Sequence, residues 1–244
     1  MTPSMTLARR LLAEGVGSGM LLAAVVGSGI MGERLAGGNV AVALLANTLA
    51  TGAALVALIL TFGPISGAHF NPAVTFADAS QAGLPWREAA GYVAAQIIGA
   101  VVGVAVADLM FELPAFSLSQ HVRHGPAQLL SEFIATFGLL SVIWGCSRLR
   151  SSTAVAFAVG AYITAAYWFT ASTSFANPAV TMARALTDTF AGIRPADVPG
   201  FIAAELLGAA AATGLFRWLL VHPGVVPRVV CKEAEPVIQA GDRV

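Results

Sequence analysis

Two side-chain amides are the residues best suited to handle a solute. Asn71 begins Asn71-Pro-Ala-Val-Thr75, and the same five residues return as Asn177-Pro-Ala-Val-Thr181. Asn followed by Pro is a helix start. The Asn side-chain oxygen accepts a backbone N–H of the first turn, and Pro72 or Pro178 takes the first helical position, where no N–H is required. That leaves the NH₂ groups of Asn71 and Asn177 free to donate. Two such donors, each at a helix N-terminus with its positive potential, suit a neutral acceptor such as water or a polyol and disfavour cations and protons. A single Asn-Pro-Ala is an ordinary turn signal. Two copies, Asn71-Pro72-Ala73 and Asn177-Pro178-Ala179, form a constellation.

The elements around these motifs belong to a membrane protein. The 244 residues are 57% apolar and 11% charged, with zero formal net charge, far from the usual soluble composition. No basic block exceeds Arg9-Arg10, so nucleic acid is excluded as a partner. Taking roughly 20 apolar residues per crossing, six spans are expected near 9–31, 40–62, 88–110, 127–147, 153–171 and 199–221. The first follows a signal-like Arg pair but is too long for a cleaved leader and reads as retained. Two pieces too short to cross, 71–80 and 177–187, begin at the two Asn-Pro pairs and are expected to be half-helices. Nine basic residues fall on the side of the termini and four on the other, so both termini are expected in the cytoplasm.

An internal repeat links the halves. Besides the Asn-Pro-Ala-Val-Thr copies, Gly91-Tyr-Val-Ala-Ala-Gln-Ile-Ile-Gly-Ala100 returns as Gly200-Phe-Ile-Ala-Ala-Glu-Leu-Leu-Gly-Ala209, and Glu14 is matched by Glu132. Three crossings per half mean that the second copy is inverted in the bilayer, so the half-helices dip in from opposite faces and can meet near the midplane. Irregular backbone at that depth must be buried in protein or line an aqueous cavity. The expected domain therefore covers 1–221 as two inverted repeats, about 7–110 and 127–221, around a pore; 222–244 is expected to be a cytoplasmic tail.

These motifs resemble those of the major intrinsic proteins, the aquaporins and aquaglyceroporins, over about residues 7–221. Ser66-Gly-Ala-His-Phe-Asn-Pro-Ala-Val-Thr75 is similar to that family's first pore loop. The resemblance implies an all-α membrane fold of six transmembrane helices and two re-entrant half-helices, assembled as a homotetramer with one pore per subunit. It implies that Glu14 and Glu132 support the loops and that His69 lies by the cytoplasmic vestibule. Family members usually carry Arg directly after the second Asn-Pro-Ala; here Val180 stands there. The other filter positions fall on Thr51, Ser174 and, on the fifth span, either Ala165 or Tyr167. Such a constriction should be wider and should lack the fixed positive charge. The pattern resembles a bacterial branch with Val at this site, which implies a bacterial plasma-membrane channel for glycerol-like polyols, urea or neutral metalloid hydroxides such as arsenite. The alternatives are a water-selective aquaporin or an ion-coupled transporter.

The remaining reactive groups have plainer readings. Glu205 is the repeat partner of neutral Gln96 and reads as a structural hydrogen-bonding group. His121 and His124 read as solvated loop, and Cys146 and Cys231 as free thiols, so no metal or cofactor is expected. Arg184 reads as facing the outer rim, with a route to the pore mouth as the alternative. No nucleophile-and-base motif suggests an enzyme.

Overall fold

The computed structural model describes residues 5–220; the tail expected over 222–244, with Cys231, lies outside the described residues. Among the described residues the chain is all helical, without strands: α1 (Leu7–Leu35), α2 (Val40–Ser66), α3 (Pro72–Ser80), α4 (Trp86–Met110), α5 (Pro126–Leu149), α6 (Ser152–Phe169), α7 (Pro178–Arg184), a 3-10 turn (Pro195–Asp197) and α8 (Val198–Leu219). Side-chain caps start several of them. Thr6, Asn39 and Ser151 accept backbone N–H groups of α1, α2 and α6, satisfying donors that a helix start leaves without intrahelical partners.

Five helices, α1, α2, α4, α5 and the segment ending in α8, are long and apolar enough to cross a bilayer. Helix α6 is apolar but shorter; its 18 residues rise about 27 Å, close to the hydrocarbon thickness. Large apolar side chains such as Leu12, Met20, Ile98, Leu130, Leu207 and Trp218 are exposed on the bundle's outside. Lipid is the solvent that makes such a surface stable. The chain is an integral, multi-pass membrane protein.

Helix boundaries depart from the sequence expectation at α7. The apolar piece runs to residue 187, but the helix ends at Arg184. Beyond it the Ala185 and Leu186 carbonyls accept N–H groups from Ser119 and Ser117 in the α4–α5 loop. A non-local backbone pairing has replaced the next helical turn.

The core pairs α1 with α4 and α5 with α8, the first and third crossings of each half; α2 against α6 joins the halves. Very close approach explains the small residues. A Cβ on Gly99 would collide with the Gly15 carbonyl oxygen, and one on Gly208 with the Phe133 carbonyl oxygen. At Gly91 and Gly200 a Cβ would meet only leucine side chains, at 3.3 Å and 3.1 Å. Gly99→Leu should therefore separate α1 from α4 and lower stability by about 3 kcal/mol or more, as overpacking does, whereas Gly91→Ala should cost little. Thermal unfolding of the two variants in detergent, followed by loss of the monodisperse chromatographic peak, measures the difference.

Candidate pore and its lining

Each half-helix begins as its sequence dictates. Asn71 and Asn177 are in extended backbone conformation, and their side-chain oxygens accept the N–H groups of Ala73 (2.9 Å) and Ala179 (3.0 Å). The amide nitrogens then do something the sequence did not announce. Asn71 Nδ2 donates to the Ala176 carbonyl at 2.7 Å, and Asn177 Nδ2 donates to the Phe70 carbonyl at 2.8 Å. The two loops are thus cross-bonded. One N–H of each amide is committed to the opposite loop, so one, not two, remains for a solute.

The loops leading into the half-helices have matching strained backbones. Gly67, Ala68 and Phe70 have positive φ, and so do their repeat counterparts Thr173, Ser174 and Ala176. Left-handed backbone at a residue with a Cβ costs of order 1–3 kcal/mol, and it turns successive N–H groups away from helical partners. Buried glutamates receive them. Glu14 on α1 accepts from His69 N (3.0 Å), Phe70 N (2.7 Å) and Ser66 Oγ (2.6 Å). Glu132 on α5 accepts from Phe175 N (2.9 Å), Ala176 N (2.8 Å) and the Ser172 side chain. Both glutamates are fully buried. Gln96 Nε2 on α4 reinforces the first site, donating to Glu14 (2.7 Å) and to Thr75 Oγ1 (2.9 Å). In the second, Thr181 Oγ1 donates to Glu205 at 2.6 Å.

A continuous cavity runs past both asparagines. One wall is apolar, built from Leu21, Val25, Leu55, Ile59, Leu139, Ile143, Val159 and Ile163; the other carries the loop residues 67–71 and 174–177. Toward the N-terminal face lies His69, whose Nδ1 is 3.2 Å from Thr75 Oγ1 and whose Nε2 is 3.7 Å from Asp78. Toward the opposite face lie Thr51, Tyr167, Ser174, Val180 and Arg184. Thr51 Oγ1 and Tyr167 Oη are 3.3 Å apart. Of the two α6 candidates, Tyr167 lines the cavity. Ala165 does not: it is exposed on the outside of α6, since two positions on a helix turn roughly 200°.

Arg184 corrects the expectation that this end lacks a fixed charge. Its side chain is not on the rim; the residue is only 1% exposed and borders the cavity. Nε donates to the Ala191 carbonyl, and the guanidinium carbon lies 3.4 Å from the centre of the Phe175 ring. Nη1 has no acceptor among the described residues. Four residues past Val180 is one helical turn, so the charge stands one turn further along α7.

Arg123, in the loop between α4 and α5, is a second buried guanidinium. It contacts the same Phe175 ring at 5.0 Å and donates through Nε to Gly192 O (2.8 Å) and through Nη1 to Ser172 O (3.1 Å). Burial lowers it to about 10, with Glu132 and Tyr167 opposing the fall, so it stays charged at neutral pH. Burial, then Arg123 and Arg184, also push the His121 imidazole down. That residue is therefore neutral at physiological pH. His124 is exposed and stands 3.8 Å from Asp197. Among the described residues no cluster of metal-ligating side chains forms. A buried acceptor ladder in loops 117–123 and 184–197 would have been the signal for both arginines, but it exists only in three dimensions.

Paired half-helices meeting inside a bundle of lipid-facing helices, with a solute-sized cavity between them, define a membrane channel. Comparison with known proteins then fixes which kind. The family described as major intrinsic protein matches residues 1–153 and again 146–244. The chain is 55% identical over 230 residues to "Aquaglyceroporin AqpS" of Rhizobium meliloti (strain 1021), covering 94% of this chain and 98% of that one. It is 32% identical to "Aquaporin NIP3-1" of Arabidopsis thaliana, over 75% of this chain and 60% of that one. Its fold matches the X-ray structure of the aquaglyceroporin from Plasmodium falciparum with a TM-score of 0.65 at 19% identity, over 88% of this chain and 95% of that one. The chain belongs to the major intrinsic protein family and is a channel for water and small solutes, not an enzyme.

The loop that holds Arg123 is itself pinned. Asp197 accepts from Arg194 Nη2 (2.8 Å) and from Arg123 N (2.9 Å). Asp197→Ala removes the acceptor of both bonds and should lower stability by about 1–3 kcal/mol, as followed by thermal unfolding in detergent.

Proposed function

We propose that this channel passively conducts water and small uncharged solutes larger than water, namely glycerol-sized polyols, urea and neutral metalloid hydroxides such as arsenite. Cations and protons are excluded at Asn71-Pro72-Ala73 and Asn177-Pro178-Ala179. The observation that carries this reading is Val180, which gives the cavity wall an uncharged, short side chain directly after the second motif. Thr51, Ser174 and Tyr167 supply hydroxyls beside it, and a polyol offers a complementary line of hydroxyls against an apolar opposite wall. The name of the 55% identical relative agrees with a solute broader than water.

Arg184 has two parts in this reading. Its unmet Nη1 donates to a solute oxygen, and its charge adds to the half-helix N-termini in repelling cations. The groups at the centre of the cavity are neutral amides, which favours a channel over an ion-coupled transporter. Glu14, Glu132 and His69 serve as loop support. The protein is assigned to a bacterial plasma membrane, in keeping with the bacterial source of the 55% identical relative, as a homotetramer; the nine-to-four split of basic residues supports cytoplasmic termini. The repeats at about 7–110 and 127–221 form one channel domain.

Osmotic shrink-swell kinetics of proteoliposomes test the filter. Val180→Arg should lower glycerol and arsenite flux by about tenfold or more while water flux persists, since 1.4 kcal/mol of added barrier is a factor of ten. Unchanged solute flux would remove Val180 from the constriction. With a pH-sensitive dye inside the vesicles, Arg184→Met should raise proton flux above the wild type. A wild type that already leaks like a proton pore would end the claim of exclusion.

A further inference from the structure

Each half-helix lies against the third crossing of the opposite half, α7 against α4 and α3 against α8. The two seams end differently. Beyond α7, Thr187 Oγ1 donates to Asp108 Oδ1 of α4 at 2.9 Å, and both residues are buried. That bond closes the seam. Counted from Asn71 and Asn177 along the half-helices and from Gly91 and Gly200 along the crossings, Gln81 stands where Thr187 does and Arg217 where Asp108 does. An amide and a cation replace a hydroxyl and a carboxylate. Among the described residues Arg217 is exposed and enters no ion pair or hydrogen bond. The α3–α8 seam is an open groove that includes Gln81 and Arg217.

We propose that this groove binds an anionic phospholipid, with an acyl chain along its floor and the phosphate at Arg217 and Gln81. The walls are apolar and mostly small: Ala73, Phe76 and Ala77 on α3, and Leu206, Ala210 and Gly214 on α8. A Cβ built on Gly214 would meet no described atom within 4 Å, so this glycine, unlike Gly99 and Gly208, leaves space that no neighbouring helix fills. A linear alkyl chain has the shape for such a channel, and its removal from water is not at stake because the whole surface faces lipid. The charge selects the headgroup. Arg217 donates and cannot accept, and Gln81 offers an amide NH₂ beside it, so the ligand group is an anion with several acceptor oxygens. The Ser80 hydroxyl, which also borders the groove, is already committed to the Ala77 carbonyl at 2.7 Å.

Depth in the bilayer agrees with this placement. Trp218, next to Arg217, and Trp86, whose ring stacks on Phe76 with centroids 6.4 Å apart, are both exposed. Exposed tryptophans favour the level of the headgroups, and an arginine there lays its stem over apolar surface while its guanidinium reaches the phosphates. The lipid joins α3, which carries the first Asn-Pro-Ala, to α8 across the seam, as the Thr187–Asp108 bond joins the end of α7 to α4.

Native mass spectrometry of the full-length protein, released from detergent and titrated with phosphatidylglycerol or with phosphatidylcholine of the same acyl chains, tests the site. The wild type should retain phosphatidylglycerol in preference. Arg217→Gln should lower that affinity about fivefold and remove the preference, while Arg9→Gln, at an exposed cation elsewhere on the same face, should change neither. Gly214→Leu, which has room for its side chain, should weaken both lipids about tenfold by filling the floor. The proposal is overturned if Arg217→Gln has no effect, if Arg9→Gln matches it, which would mean diffuse attraction to the surface, or if Gly214→Leu binds as the wild type does. It is overturned as well if Gly214→Leu dissociates an assembly, which would make the groove a contact between copies, or if Glu233→Gln with Glu235→Gln raises lipid affinity, which would make the acidic tail its occupant. Binding is read without transport, so the outcome is independent of the solute the channel conducts.

Discussion

Backbone N–H groups at the depth of the hydrocarbon core must find acceptors within the protein, at a cost of several kcal/mol for each one left unmet. Residues 69, 70, 175 and 176 present four of them, because their loops have left-handed residues and cannot use helical carbonyls. Glu14 and Glu132 meet all four. Each carboxyl group has two oxygens and so meets both N–H groups of its loop with one side chain, which helps to hold several strained residues in place. A carboxyl group buried in a membrane helix is costly in turn; here the hydrogen bonds from the loops offset it. The half-helix starts, the meeting of the asparagines and the course of the cavity all rest on this exchange.

Much of the architecture could be read along the chain. Asn-Pro is a local signal, set by one side-chain oxygen and one missing N–H, and both half-helices begin at it. The repeat placed Glu14 and Glu132 in equivalent roles before any coordinates, and apolar length located the crossings. Less local matters were hidden. Helix α7 stops early because Ser117 and Ser119 claim its next carbonyls, a pairing across more than sixty residues of sequence. Ala165 and Tyr167 could not be separated without the rotation of α6. Arg184 looked like a rim cation because arginine at a short helix end usually faces solvent; its acceptor and the Phe175 ring are assembled only by the fold. The free NH₂ groups expected on the asparagines were half right, since the carbonyl that takes one hydrogen belongs to the other repeat.

Arginine on an aromatic ring differs from arginine on a free stem. Phe175 is in contact with both guanidiniums, and Phe201 supports its edge at 5.3 Å. Cation–π contact with a desolvated ring contributes up to about 2 kcal/mol or more and restricts the rotamers of a long side chain. With the charge one turn from position 180, the cavity wall carries a short apolar side chain at Val180 and a fixed guanidinium at Arg184 along the same path. In the function proposed above, size and charge selection are separated between Val180 and Arg184, which both line the cavity.

The reciprocal bonds between Asn71 and Ala176 and between Asn177 and Phe70 also bear on how the chain is made. Their partners lie 105 and 107 residues apart. At roughly 5–20 residues per second, the first loop emerges many seconds before its acceptor and donor exist. Until then the Phe70 carbonyl and one hydrogen of Asn71 have no native partner, so the first re-entrant segment can be inserted but not completed. Assembly of the channel centre is consequently a late, joint event in biosynthesis, in which the second half of the chain serves as the template that finishes the first.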